Sequence, residues 1–306
     1  MSLPLSPCSA SIRNHAESLG VSALGIAAAM PVQRYAAQSY KEWIDAGCNA
    51  GMGYLDRYHD VREDPRLLLE GAKSVIVCAF NYYPSVCRDK RLPEFALYSY
   101  GVDYHEVVRE RLSLLAAMIR GEFGGETRVC VDTAPLRERY WAQMAGVGFI
   151  GRNNQLIIPG KGSYFFLGEI LTTVEFVPDE PCRLSCGDCM ACVKSCPGKA
   201  IMPDGRVDAR RCLSYLTIEH KGEFDAPLNL GNHLYGCDEC QSVCPHNRNA
   251  VPTDIAEFQP SEAFMSLDRN AIAGLTPEKF NSIFRHSAVK RAKLAGLLRN
   301  LRHLDS

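Results

Sequence analysis

Cys186-Gly187-Asp188-Cys189-Met190-Ala191-Cys192-Val193-Lys194-Ser195-Cys196-Pro197 decides how this chain of 306 residues is built. Two x2 gaps, one x3 gap and a closing proline form the spacing that holds paired [4Fe–4S] clusters. A second run follows, Cys212 and then Cys237-x2-Cys240-x3-Cys244-Pro245. An x2 loop lets two thiolates reach different irons of one cubane. The fourth cysteine of a run, carried past a short helical turn, reaches the other cluster. The spacing therefore predicts Cys186, Cys189, Cys192 and Cys244 on one cluster, and Cys196, Cys212, Cys237 and Cys240 on the other. Pro197 and Pro245 suit the exits from these turns, where no further backbone donor is needed.

These eight belong to a total of 14 cysteines, so other uses of the sulfur must be weighed. Zinc needs four ligands per site and leaves the Cys-x3-Cys-Pro ending unexplained. Disulfides need an oxidising compartment, and Met1 to Ala10 has neither a basic start nor a long apolar run. Cys8, Cys48, Cys78, Cys87, Cys130 and Cys182 lack a partner pattern; Cys78 and Cys130 sit in apolar runs and read as small buried hydrophobes.

With 46% hydrophobic and 23% charged residues, the composition is that of a soluble globular protein. No apolar stretch approaches the roughly 18 residues of a membrane span. The expectation is a cytoplasmic monomer without a membrane partner. A net charge of −1 gives no global pull toward nucleic acid, so such a partner needs a local patch. One runs between Glu278 and Asp305, where Lys279, Arg285, Lys290, Arg291, Lys293, Arg299 and Arg302 occur without an acid. It reads either as a solvated helix face or as a phosphate grip.

Residues 1–177 alternate helical and strand patterns. Helices are predicted over Ser9 to Leu19, Pro31 to Ala46 with proline in the first turn, Tyr104 to Arg120, and Pro135 to Ala145 closed by Gly146. Strands are predicted at Ala23 to Ala28, Ser74 to Phe80 and Thr127 to Val131. Leu156 to Ile158 and Tyr164 to Val174 read as a hairpin across Pro159-Gly160-Lys161-Gly162. This is an α+β class, with an α/β mixed-sheet domain over 1–177. A bacterial-type two-[4Fe–4S] ferredoxin-like domain follows over 178–248, and a short helical, basic C-terminus over 249–306. In the last helix, Leu294, Leu297, Leu298 and Leu301 form an apolar stripe to be docked inward, leaving the basic face outward.

Clusters move electrons, so the chemistry is expected in residues 1–177. No Gly-x-Gly-x-x-Gly follows a strand and no Walker loop is present. The Asp-x-His-x-x-Gly motif that supplies a lower cobalt ligand in many B12 proteins is also missing. Asp103-Tyr104-His105 begins like it, but Val108 stands where glycine should be. In Val131-Asp132-Thr133-Ala134-Pro135-Leu136-Arg137-Glu138-Arg139-Tyr140, Asp132 marks the end of a buried strand, where open α/β sheets place ligand and catalytic groups. A half-buried carboxyl there can have a raised pKa and donate a proton. The alternative is that Asp132 caps the following helix.

The stretch from Val131 to Gly151, continuing into Arg152-Asn153, resembles the epoxyqueuosine reductases. So do Gly162-Ser163-Tyr164, Arg211-Cys212-Leu213-Ser214-Tyr215-Leu216-Thr217 and Asn232-His233-Leu234-Tyr235-Gly236-Cys237-Asp238-Glu239-Cys240-Gln241. Asp103-Tyr104-His105, and Arg62 followed by Leu67-Leu68-Leu69, fit as well, so the resemblance spans nearly the whole chain.

The resemblance implies a cobalamin-dependent, two-cluster enzyme. It would remove the epoxide oxygen of epoxyqueuosine at the wobble position of tRNA, fed by an external low-potential electron donor. It further implies that Asp132 is the proton donor and that Arg62, Arg137, Asn153, Leu156, Leu167 and Ser214 lie around the cobalamin. Family members bind cobalamin without a protein histidine below cobalt, which agrees with the missing motif. Many continue past the clusters into helical repeats that help hold the tRNA. Here the basic helix expected from Ser287 to Leu304, through Lys290, Arg291 and Arg299, is left with Lys221 for that grip. Two other classes compete. A corrinoid reductive dehalogenase would carry a twin-arginine signal, which this N-terminus lacks. A ferredoxin-type electron carrier fused to an inert domain would show no cobalamin spectrum.

Overall fold

The computed structural model describes residues 7–226 and 228–305, so the reading of Met1 to Ala10 lies largely outside the described residues. In chain order the strands are β1 (Ala23–Ala28), β2 (Ser74–Asn81), β3 (Glu94–Phe95), β4 (Thr127–Cys130), β5 (Phe149–Ile150), β6 (Leu156–Ile157), β7 (Phe165–Thr172) and β8 (His233–Tyr235). The main sheet runs β1-β2-β7-β4. β2 and β7 take its centre because both are apolar on both faces, with Ser74 to Phe80 and Phe166 to Thr172 all buried. On one face Cys78, Phe80, Phe166 and Ile170 pack against Val108, Leu112, Leu115 and Ile119 of the helix Tyr104–Phe123. On the other, Val75, Val77, Leu167 and Leu171 meet Trp141 and Ala142 of the helix Glu138–Met144. Gly168 permits the first approach: a Cβ there would stand 2.6 Å from Leu112 Cδ1 and 2.9 Å from Val108 Cγ1. No helix among the described residues is long and apolar enough to cross a membrane.

The α+β class with a cysteine-rich second part stands, but the main sheet is antiparallel throughout, not mixed. Periodicity reports which elements exist; the long helical connections allow either strand direction. The predicted hairpin is also absent. β6 pairs with β5, while β7 pairs with β2 and β4, and only an isolated bridge between Ile158 and Gly162 closes the turn. A strand as apolar as β7 needs neighbours on both sides, which a local hairpin cannot give. The second helix runs Arg34–Asp45, leaving Pro31 ahead of it, and the one after β4 starts only at Glu138. Gly146-Val147-Gly148-Phe149-Ile150-Gly151 does spell Gly-x-Gly-x-x-Gly, yet it follows that helix. Gly146 ends the helix with φ of +75°, and Gly148 lets the chain lie against the Ile157 carbonyl.

A separate core joins the middle of the chain to its end. Phe95, Leu213, Leu216, Leu234 and Tyr235 pack with Phe264, Phe280, Phe284, Leu297 and Leu301. The expected helix from Ser287 to Leu304 is broken: a 3₁₀ stretch (Ala288–Ala292) precedes the α-helix Lys293–Arg302, with Lys293 at φ of +59°.

Arg299 corrects the reading of this segment as a bare basic face. It is 3% exposed, and its guanidinium donates to the carbonyls of Leu216 (2.9 Å), His220 (3.0 Å) and Gly222 (2.8 Å) and to Asn300 Oδ1. Asn300 donates in turn to the carbonyls of Thr217 (2.8 Å) and Leu234 (2.9 Å). All but that of Leu234, which lies in β8, belong to the end of the helix Leu213–Ile218 and the loop beyond, groups a short helix leaves unpaired and a cation there stabilises. Arg299 is a brace and no phosphate can reach it. Arg299→Met should destabilise the folded state by about 3 kcal/mol, because it leaves buried carbonyls without donors. Urea denaturation of the iron-loaded protein measures this; an unchanged midpoint would mean that the carbonyls find other partners.

Candidate active site and metal centres

The structure gathers the eight cysteines into two sets. Cys186, Cys189, Cys192 and Cys244 line one cavity with Arg152, Asn153 and His246. The backbone N–H of Arg152 donates to Cys186 Sγ at 3.3 Å. Burial pushes the Cys244 thiol up, and the N–H groups of His246 and Asn247, which face it, oppose this. In the other set, burial pushes the Cys212 thiol up. The N–H groups of Tyr215 and Ser214 oppose this, and Cys196 and Cys237 lie close by. Cys240 is raised by burial and by the nearness of Cys237 and Cys212, and Ala200 N–H donates to Cys196 Sγ at 3.2 Å. Four thiols with amide donors aimed at sulfur form a donor set suited to an iron–sulfur cubane. Between Glu94 (3.0 Å) and Glu239 (3.8 Å), His233 turns Nε2 toward Cys237 Sγ at 4.0 Å.

Asp132 sits past the end of β4 at φ of +48°, with its side chain 50% exposed. It does not cap the following helix, whose first turn is preceded by Arg137 with no side-chain cap. Asp132 Oδ2 instead meets His105 Nε2 at 2.9 Å, while the Asp132 N–H donates to Glu138 Oε1 at 2.6 Å. His105 is held by Asp103, the N-cap of the helix Tyr104–Phe123, whose Oδ1 lies 2.7 Å from His105 Nδ1. Lys290 Nζ meets Asp103 Oδ2 at 2.8 Å. A histidine bonded through both ring nitrogens to carboxylates is an imidazolium, since the neutral ring has one donor. Burial pulls the other way, yet the two acids hold His105 up at about 9.

Asp132 therefore departs from the expected raised carboxyl. Burial pushes it up, but hydrogen bonds from His105 and Tyr104 and the imidazolium charge outweigh this and hold it below the ordinary range. The raised acids lie behind it. Glu138 is pushed up to about 7 by burial and by Asp132. Glu169, fully buried in β7, is raised further by burial, and neither carboxyl oxygen has a hydrogen-bond partner. Sequence reasoning missed His105 in this role, together with Glu138 and Glu169. The available signal was Asp103-Tyr104-His105, an N-cap followed by a histidine in the first helical turn.

The residues expected around the cobalamin occupy two neighbourhoods. Arg137 stacks over the Tyr40 ring at 4.4 Å and reaches Glu63 at 3.3 Å, while Arg62 donates to the carbonyls of Arg57 and Tyr54 in the segment leading to Glu63. Leu156 and Leu167 lie in the core beneath the helix Glu138–Met144. Asn153 donates to the Cys240 carbonyl at 3.1 Å, and Ser214 offers its N–H to Cys212, so both border the second thiol set. Arg137 Nε and Trp141 Nε1 are buried donors without partners.

Of the residues expected to hold nucleic acid, Lys221 is exposed. Arg291 makes a two-pronged ion pair with Glu219 (2.9 and 2.8 Å) beside the Tyr54 ring, and its charge reaches Asp132. Lys290 is tied to Asp103, and Arg299 is buried, so neither presents the free cation that was expected.

Residues 62–133 match the family described as "Epoxyqueuosine reductase QueG, DUF1730", and residues 185–247 a "4Fe-4S double cluster binding domain". An epoxyqueuosine reductase of Leadbetterella byssophila is 39% identical over 95% of this chain and 96% of its own length. The crystal structure of an epoxyqueuosine reductase with a tRNA-Tyr epoxyqueuosine-modified stem loop superposes with a TM-score of 0.87 at 30% identity. It covers 96% of this chain and 80% of that one. A Bacillus subtilis epoxyqueuosine reductase, solved with its catalytic aspartate loop swung out of the active site, gives the same TM-score, identity and coverage.

The two thiol sets predict separable losses. Cys189→Ala and Cys237→Ala should each bind about half of the iron and sulfide of the parent, about four of eight of each. Iron and sulfide analysis after anaerobic reconstitution reads this directly. Equal and complete loss in both variants, or zinc in place of iron, would count against two independent centres.

Proposed function

Because the chain belongs to the epoxyqueuosine reductase family, we propose that it reduces epoxyqueuosine to queuosine at the wobble position of tRNA. Expelling an epoxide oxygen as water consumes two electrons and two protons. Two [4Fe–4S] clusters would deliver the electrons singly at low potential, and cobalamin would bring them to the carbon–oxygen bond. The observation that carries this reading is a proton-bearing pair, His105 and Asp132, open to solvent in a chain with two four-thiol sets.

In this reading Asp132 is the proton donor to the oxygen leaving the epoxide. Its carboxylate receives the first proton from His105 across the 2.9 Å contact and the second from solvent, to which its side chain is half exposed. An alkoxide is far more basic than either group, so the transfer runs downhill once the bond opens. Glu138, bonded to the Asp132 N–H, fixes the turn that carries the carboxyl. Tyr104 keeps its proton, raised first by burial and then by the charge of Asp132, and lays its ring against His105 at 4.2 Å. Arg62, Arg137, Asn153, Leu156, Leu167 and Ser214 are assigned to the cobalamin. The group's apolar ring and amide rim suit buried leucines beside unpartnered Arg137 Nε and Trp141 Nε1 donors. Lys221 and Arg291 are assigned to the tRNA backbone, whose contacts position without reading sequence. Residues 1–177 would then carry acid and corrin, and 178–248 the clusters.

Asp132→Asn should keep iron and cobalamin binding yet lose about 10²–10⁴-fold in turnover on tRNA bearing epoxyqueuosine. Near-parental turnover would remove Asp132 from the chemistry.

The pH dependence follows from His105. Its proton is fully present below its ordinary value of 6.5 and is lost as pH rises through about 9. Turnover should therefore fall above about pH 9, and His105→Gln should abolish that limb while lowering the plateau. A pH–rate profile of the two proteins decides; the same alkaline limb in both would assign it to another group.

A further inference from the structure

Lys290 belongs to the C-terminal segment but reaches the base of the proton-carrying chain. The backbone N–H of Asp103 donates to the His286 carbonyl at 2.7 Å, and the Ser287 hydroxyl donates to the Ser99 carbonyl at 3.4 Å. These contacts lock residues 286–290 onto the turn before the helix Tyr104–Phe123. From there Lys290 Nζ meets Asp103 Oδ2 at 2.8 Å, although its own side chain is 46% exposed. The other oxygen, Oδ1, accepts from both the N–H (3.1 Å) and Nδ1 (2.7 Å) of His105. The Asp103 carboxylate is itself buried, so its orientation is set by these partners alone.

We propose that Lys290 is a positioning residue that fixes Asp103, and through it aims His105 Nε2 at Asp132. The proposal rests on the reduction of epoxyqueuosine assigned above. A carboxylate with one oxygen clamped by an ammonium cannot swing, so the imidazole that its other oxygen holds stays in line with Asp132 Oδ2. Without the clamp, Asp103 can turn toward solvent and the His105 ring can follow. A drift of about 1 Å in a proton-transfer pair is enough to cost up to about 100-fold in rate. The titratable and charged groups around His105 are Asp103 below, Tyr104 stacked on its ring, Asp132 and Glu138 across the turn, Glu106 on its own helix, and Lys290, Arg291 and His286 from the C-terminal segment. Once Asp103 turns away, His105 loses one of the two acids that hold its proton, and the imidazole gives it up at lower pH.

The test is Lys290→Met, with Lys290→Gln as a second variant should the first fail to load iron, and Lys290→Arg as the rescue. Expected are a fall in kcat of about ten-fold or more, an unchanged KM for the modified tRNA, and an alkaline limb moved to lower pH. Lys290→Arg should restore most of kcat. In the free protein, the titration of the His105 imidazole followed by NMR should also move to lower pH. Weaker tRNA binding with a flatter salt dependence and unchanged kcat would overturn the proposal and make Lys290 a phosphate contact. So would kcat and imidazole titration both unmoved. If the parent protein fails to reduce epoxyqueuosine, the function assigned above falls, and the imidazole titration still decides whether Lys290 governs His105.

Discussion

Two four-thiol sets that exchange one cysteine each are the constraint on which the second half of the molecule depends. Cys196 leaves the run that begins at Cys186 to join Cys212, Cys237 and Cys240, while Cys244 crosses back to that first run. The chain between 186 and 244 is thereby closed into interlocked loops, and neither set is complete without segments from both runs. The turn after β5 fits between them. Arg152 gives its N–H to Cys186, and the next residue, Asn153, gives its side-chain amide to the carbonyl of Cys240. One turn thus touches both centres, which ties the antiparallel sheet to the metal-binding part at a fixed spacing.

The carboxyl groups gathered around Asp132 show how opposed effects are settled by magnitude. Burial raises every carboxyl near Asp132, but only those without a cation stay raised. Asp132 and Asp103 share an imidazolium and fall; Glu138 and Glu169 have no such partner and rise. Proton-poor and proton-rich acids therefore lie within one small region, separated by who is paired with whom. The C-terminal segment adds two further cations on the ionised side, Lys290 at Asp103 and Arg291 within reach of Asp132.

The cysteine sets were legible because ligand spacing is a local rule: the number of residues between two thiols limits which irons they can reach. The end of a strand likewise marked Asp132, although β4 is a partly exposed edge strand and not the buried one expected. Its partner was not legible, because His105 lies 27 positions away and only the fold brings the two together. The basic stretch misled for a different reason. An arginine on an amphipathic helix looks the same in sequence whether water or the carbonyl end of another helix receives it. Arg299 turned out to serve the Leu213–Ile218 helix, and Lys290 a buried aspartate. Strand direction and the false hairpin share one cause, since apolar patterning tells how deeply β7 is buried but not which neighbours bury it.

Glu169 gives the sheet a proton economy of its own. In the unfolded chain this carboxyl ionises in the ordinary glutamate range, whereas in β7 it stays neutral because no donor or cation meets it. Folding at neutral pH must therefore take up a proton from solvent. Within the window between the two ionisations, each unit of rising pH removes about 1.4 kcal/mol of stability. The domain is thus alkali-sensitive at its centre, and a polar donor reaching that carboxyl would make it less so.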